Sequence, residues 1–155
     1  MITTNSLWRN DMAWVNAYGL MMIAVLMIPN MVYAIRCKGG FENTWRNRAV
    51  EVIEQVGRIG CITFMILQIP GTWFGWRSDE AFGLYLMVDA ALVIAYCLIW
   101  MVCFRKNSVF RALALSAIPS ALFLFSGIMS RSVPLVASVV LFAPSHILIS
   151  YKNAQ

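Results

Sequence analysis

Five apolar stretches constrain this chain more than anything else in it: approximately Trp14 to Ile35, Val50 to Ile69, Ala81 to Phe104, Val109 to Met129 and Val133 to Tyr151. At a rise of about 1.5 Å per residue, a helix of about 20 residues covers the ~30 Å hydrocarbon core of a bilayer. That core offers no water to backbone N–H and C=O groups, so a run of this length satisfies them internally as a helix. The expected fold is therefore all-α: a polytopic membrane protein, one domain over residues 1–155, built as a bundle of five transmembrane helices. Composition agrees, because residues that are 61% hydrophobic and 12% charged carry too little charge to cover a soluble domain. The connections run to roughly a dozen residues at most, without repeats, so no soluble catalytic domain is expected beside the bundle.

The ends of the spans carry helix signals. Asn43 and Thr44 can cap a helix that starts in the first loop and runs into the second span, and Pro70-Gly71 stops it. Ser78-Asp79-Glu80 places a cap and two acids at the start of the third. Basic residues give the orientation. One side collects Arg36, Lys38, Arg46, Arg48, Arg105, Lys106, Arg111 and Lys152, the other only Arg9, Arg77 and Arg131, which puts the N-terminus outside and the C-terminus inside. Trp14, Trp73 and Trp76 then fall at outer ends, and Trp45 and Trp100 near inner ends, where indoles favour the headgroup level.

The net charge of +5 is explained by this bias, so the expected partner is the lipid bilayer and no nucleic acid. Met31-Val32-Tyr33-Ala34 offers a small residue to a signal peptidase, but the basic residues follow the apolar run, the reverse of a signal peptide's order, so the first span is read as part of the bundle. The expected location is the bacterial cytoplasmic membrane, with the chain integral to it.

Cys37, Cys61, Cys97 and Cys103 form no CxxC and no Cys/His pairing, and read as small apolar fillers. No GxSxG, HExxH, phosphate-cradling glycine loop or paired histidine is present, so no metal site and no cofactor is expected.

The second span carries three ionisable groups and an amide in an otherwise apolar run. Glu51, Glu54, Gln55 and Arg58 stand at offsets of 0, 3, 4 and 7, one stripe of a helix, which should point away from lipid. Arg58 lies roughly 13 Å from the inner end, where a charge costs about 2.5 to 3.5 kcal/mol and needs partners. Glu54 is one turn before it, and Asp89, reached from the opposite side on the third helix, is the second expected partner. Tyr85, Asp89, Tyr96 and Cys103 form a stripe on that helix. Asn30 and Tyr33 from the first helix, Ser116 and Ser120 from the fourth, and Ser145 and His146 from the fifth are expected to face it. Pro29, Pro119 and Pro144 fall inside spans, two of them beside this polar layer.

The candidate substrate-binding residues are therefore Asn30, Glu51, Glu54, Arg58, Asp89, Tyr96 and His146. The plainer reading is glue. Asn, Ser, Tyr and paired charges tie membrane helices together at about 0.5 to 2 kcal/mol per link, and Ala112, Ser116, Ser120 and Gly127 offer a close-packing face. The ionisable groups exceed what packing requires, which favours a site.

The segment from Phe41 to Arg48, with Glu51 and Glu54 after it, resembles the acid-and-arginine-rich second helix of the membrane-associated eicosanoid and glutathione metabolism proteins. The likeness covers roughly a dozen positions. Those proteins have four helices and an Asn three places before the Glu, whereas here Arg48 precedes Glu51 and Glu51 precedes Glu54, so the chain is not assigned to that family.

The leading functional expectation is transport or permeation of a small polar or charged solute, coupled to protons through His146 and its carboxylate neighbours. The alternative is a non-catalytic subunit that pairs its charges with a partner membrane subunit or a second copy. The third is a membrane enzyme on a lipid or lipophilic substrate, with Arg58 holding an anionic group and a carboxylate or Tyr as acid or base; no nucleophile supports it.

Overall fold

The computed structural model describes residues 14–37, 45–104 and 108–155. Five helices follow in chain order: α1 (Ala17–Arg36), α2 (Arg48–Ile66), α3 (Asp79–Cys103), α4 (Val109–Met129) and α5 (Val133–Asn153). Side chains fix where four of them begin. Asn16 accepts from the Gly19 N–H, Asn47 from Val50, Ser78 from Ala81 and Ser108 from Arg111, each satisfying a donor that a first turn leaves open. In α5, Pro134 sits in the first turn, where its missing N–H has no helical acceptor to lose.

The second helix starts later than expected. Asn43 and Thr44 lie outside the described residues, but Trp45, Arg46 and Asn47 are not helical, and Asn47 is the cap. The helix ends at Ile66, ahead of Pro70-Gly71, where the chain pairs with the residues before α1. The Asn16 N–H bonds the Ile66 carbonyl at 2.7 Å, and the Gln68 N–H bonds the Trp14 carbonyl at 2.9 Å. Pro29, Pro119 and Pro144 lie inside α1, α4 and α5, and each helix continues past its proline.

The helices form a ring. α1 packs on α2 and α3, α4 on α3 and α5, and α5 on α2, while α4 also touches α2 across the middle. Successive helices alternate in direction, so the starts of α1, α3 and α5 gather at a first end and the starts of α2 and α4 at a second. Tyr18, Trp73, Trp76, Phe82 and Tyr85 cluster at the first end. At the second end Tyr33, Trp100 and Phe104 cluster around the Arg111 guanidinium, which lies 4.6 Å from the Tyr33 ring and 4.9 Å from that of Trp100. Aromatic residues at both ends of an apolar bundle are what two membrane interfaces require.

Four of these helices, α1, α3, α4 and α5, are long and apolar enough to cross a membrane. α2 differs because its 19 residues carry Arg48, Glu51, Glu54 and Arg58. Its exterior is nevertheless largely apolar: Val52, Ile53, Val56 and Ile59 are exposed, as are Met21, Ile28 and Met31 on α1 and Met87, Ile94 and Leu98 on α3. An exterior of this kind suits hydrocarbon and not water, and the protein is an integral membrane protein.

The tightest seam joins α2 to α5, which run antiparallel in register. Trp45 N–H bonds the Asn153 side chain at 3.0 Å at one end, Glu54 meets His146 further in, and Gly57 and Gly60 lie against Phe142 and Ser138. A Cβ built on Gly57 would stand 2.6 Å from the Phe142 backbone nitrogen. Only glycine lets the two backbones come this close, and the closeness sets the contact one turn away.

Candidate functional site

Glu54, 3% exposed, is the centre of the charged group. The Arg58 Nε–H donates to its Oε1 at 3.0 Å, and Arg58 Nη2 reaches the same oxygen. His146 Nδ1 lies 2.9 Å from that oxygen as well, and the imidazole stacks on the Phe142 ring at 4.6 Å. One carboxylate oxygen therefore serves a fixed cation on its own helix and a titratable ring on the neighbouring one.

Depth brings further residues to this level. Glu54 is six residues from the start of α2, Asn30 six from the end of α1, Tyr96 seven from the end of α3 and His146 seven from the end of α5. All four thus lie about 9 to 11 Å in from the second end. Asn30 and Tyr96 are bonded to each other, the phenol donating to Asn30 Oδ1 at 3.0 Å, while Asn30 Nδ2 donates to the Leu26 carbonyl at 3.1 Å. They form a polar tie between α1 and α3. Arg58 is one turn deeper on α2.

Arg58 is only part covered. Its side chain is 42% exposed, against 4% for Glu54, and Glu54 is its only bonding partner among the described residues.

Asp89 belongs elsewhere. It is wholly buried, accepts a hydrogen bond from Ser126 Oγ at 2.5 Å through Oδ2, and has no partner for Oδ1. The expected Arg58–Asp89 pair is not formed. The expectation matched two depths but not two directions: α2 and α3 do not pack on each other, being separated round the ring by α1 on one side and by α4 and α5 on the other. Ser126 is three residues from the end of α4, so Asp89 is level with that helix's last turn, in a polar layer near the first end. Tyr85 and Asn16 belong to the same layer, with Asn16 Nδ2 donating to the phenol at 3.2 Å. A cavity of about 10 Å³, lined by Asn16, Gln68, Trp73, Tyr85, Ser126 and Ser130 among others, has room for about one water.

Other expectations are corrected in the same way. Gln55 is exposed, so the α2 stripe is narrower than its spacing implied. Glu51 is half-buried and is not a partner of Arg58 or His146. Ser116, Ser120 and Ser145 are buried, but their hydroxyls donate to carbonyls of their own helices, as isolated serines in apolar helices do. Tyr33 stands in the aromatic cluster around Arg111 and not beside Asp89.

Sequence reasoning missed Ser126, Asn16 and the two α2 glycines. Asn16 lay inside an expected span and is in fact its cap. Gly57 and Gly60 stand three apart among the charges, not at the four-residue spacing by which small residues mark a close-packing face.

No protein family matches the sequence, and neither a curated protein nor a solved structure is detectably similar to it.

Proposed function

We propose that this protein transports or conducts a small polar or charged solute, bound at the group formed by Glu54, Arg58 and His146. One observation carries the reading: the Arg58 guanidinium, about 15 Å from the second end, is tied down by Glu54 yet 42% exposed. Glue would bury both partners, because an open charge at that depth is costly unless water or a ligand meets it. All five helices cross the membrane in this reading, since α2 runs in register with α5 along its length and cannot be shallower than its partner. Asn30 and Tyr96 tie α1 to α3 at the same depth.

The test is flux into proteoliposomes, with and without an imposed pH gradient. Wild-type protein should move solute, and Glu54→Gln should abolish movement while the protein remains folded. Vesicles as tight with wild-type protein as without it would sink the reading.

The charge bias of the connections supports an orientation with the first end outside, so that the charged group opens toward the cytoplasm. In a background with the native cysteines replaced by serine, Arg77→Cys should react with an impermeant maleimide on intact cells, and Lys152→Cys only after lysis. The opposite pattern reverses the frame.

A further inference from the structure

We infer that the solute is a small monoanion of the carboxylate type, taken up together with one proton; this rests on the reading of the charged group as the solute site. A guanidinium has five N–H donors in a planar fork. Two of those on Arg58 point at Glu54 Oε1, which leaves three, including the pair at the tip of the fork, without a protein partner among the described residues. The Arg58 side chain as a whole is 42% exposed. A planar carboxylate accepts from such a pair of donors through both oxygens, as a cation or a neutral amine cannot.

The proton follows from counting charge. Arg58 and Glu54 cancel, so the group is neutral when the imidazole is neutral. Binding a monoanion would leave a net negative charge in a low-dielectric interior, which is costly. His146 can cancel it in place by taking a proton, whereas Glu54 could do so only by giving up the charge that holds Arg58. Its Nδ1 already faces Glu54, so a second proton can sit on Nε2 with the Glu54 contact retained, and Glu54 then lies between two cations. Among the described residues no charged side chain beyond Glu54, Arg58 and His146 stands at this level. α1 and α4 contribute only Arg36 and Arg111, both at the second end, and the remaining basic residue of α5 is Lys152. On α2, Glu51 is a turn nearer the second end and Cys61 is a buried thiol; Tyr96 on α3 is bonded to Asn30, and Asp89 to Ser126.

The test is titration calorimetry on the whole protein in nanodiscs, in two buffers of different ionisation heat. The probes are chloride, formate, acetate and benzoate, with acetamide and ammonium as controls. Carboxylates should bind in preference to chloride, acetamide and ammonium should not bind, and about one proton should be taken up per anion. Arg58→Gln should weaken binding at least about tenfold, the loss expected for charge-assisted bonds. Arg58→Lys should fall between, and His146→Gln should bind without proton uptake. Should Arg58→Gln fail to fold, the neutral pair Glu54→Gln with Arg58→Gln should fold and bind nothing. Binding of ammonium in place of anions, no binding by any anion, anion binding undiminished in the neutral pair, or binding without proton uptake by the wild type overturns the inference. An Arg58 covered by a partner chain's carboxylate would give the second of these. Anion binding without anion flux would sink transport and leave the anion site standing. Flux of a cation lost in Glu54→Gln would do the reverse.

Discussion

Replacing Glu54 by leucine is expected to destabilise the bundle by about 3 kcal/mol, the largest effect of any single polar substitution in it. The carboxylate is the only bonding partner that Arg58 has among the described residues and the acceptor for His146 as well. Its loss strands a cation about 15 Å from the second end, too deep for an arginine to snorkel out. Removing one member of a buried pair costs about 3 to 5 kcal/mol; the lower end applies because Arg58 is part open. Arg58→Leu should cost less, because His146 still faces the carboxylate. The double substitution should recover part of the loss, with a coupling of about 1 kcal/mol or more. Asp89→Asn is the control. Asp89 is buried more completely than Glu54, but it bonds a hydroxyl and no cation, so an amide of the same shape should be tolerated within about 1 kcal/mol. Reversible unfolding in mixed micelles measures all four variants. Additive single losses, or an Asp89→Asn cost equal to that of Glu54→Leu, would show that the charges are not organised as described.

The contrast between Glu54 and Asp89 also marks where sequence reading succeeds. Helix number, the α3 stripe and the shared face of Glu54 and Arg58 follow from periodicity, because 3.6 residues per turn fixes which side chains share a face. The Tyr96–Asn30 and Glu54–His146 contacts follow from depth as well, since both pairs sit at equal distances from the same end. Depth alone then fails for Arg58 and Asp89. Which helices are neighbours in a ring is decided by packing between faces, and α2 and α3 are not neighbours. The deciding residues were small and unremarkable in sequence. Ser126 is one of several serines on α4, and Gly57 stands among the charges whose geometry it permits.

Gly57 gives the second large effect. Gly57→Leu should separate α2 from α5 and disconnect Glu54 from His146 without touching either residue. A Cβ at position 57 would lie 2.6 Å from the Phe142 nitrogen and 2.8 Å from its Cα. Both are backbone atoms, which cannot swing aside as the end of a side chain can. The helices must therefore move apart, and overpacking of this kind costs about 1 to 3 kcal/mol even for small additions. Gly60 tightens the constraint, since a Cβ there would run into Ser138 one turn along the same seam. Gly57→Ala should already show part of the loss. Gly83→Ala on α3 should not: nothing stands within 4 Å of its Cβ position, and alanine is favoured over glycine in a helix by about 0.5 to 1 kcal/mol. Nitrogen NMR of the single imidazole reads the contact directly, because His146 should lose the signature of a carboxylate-bonded Nδ1 in Gly57→Leu and keep it in Gly83→Ala. If Gly57→Ala is as harmless as Gly83→Ala and the imidazole signal is unchanged in Gly57→Leu, the α2–α5 seam is not what holds the charged group together.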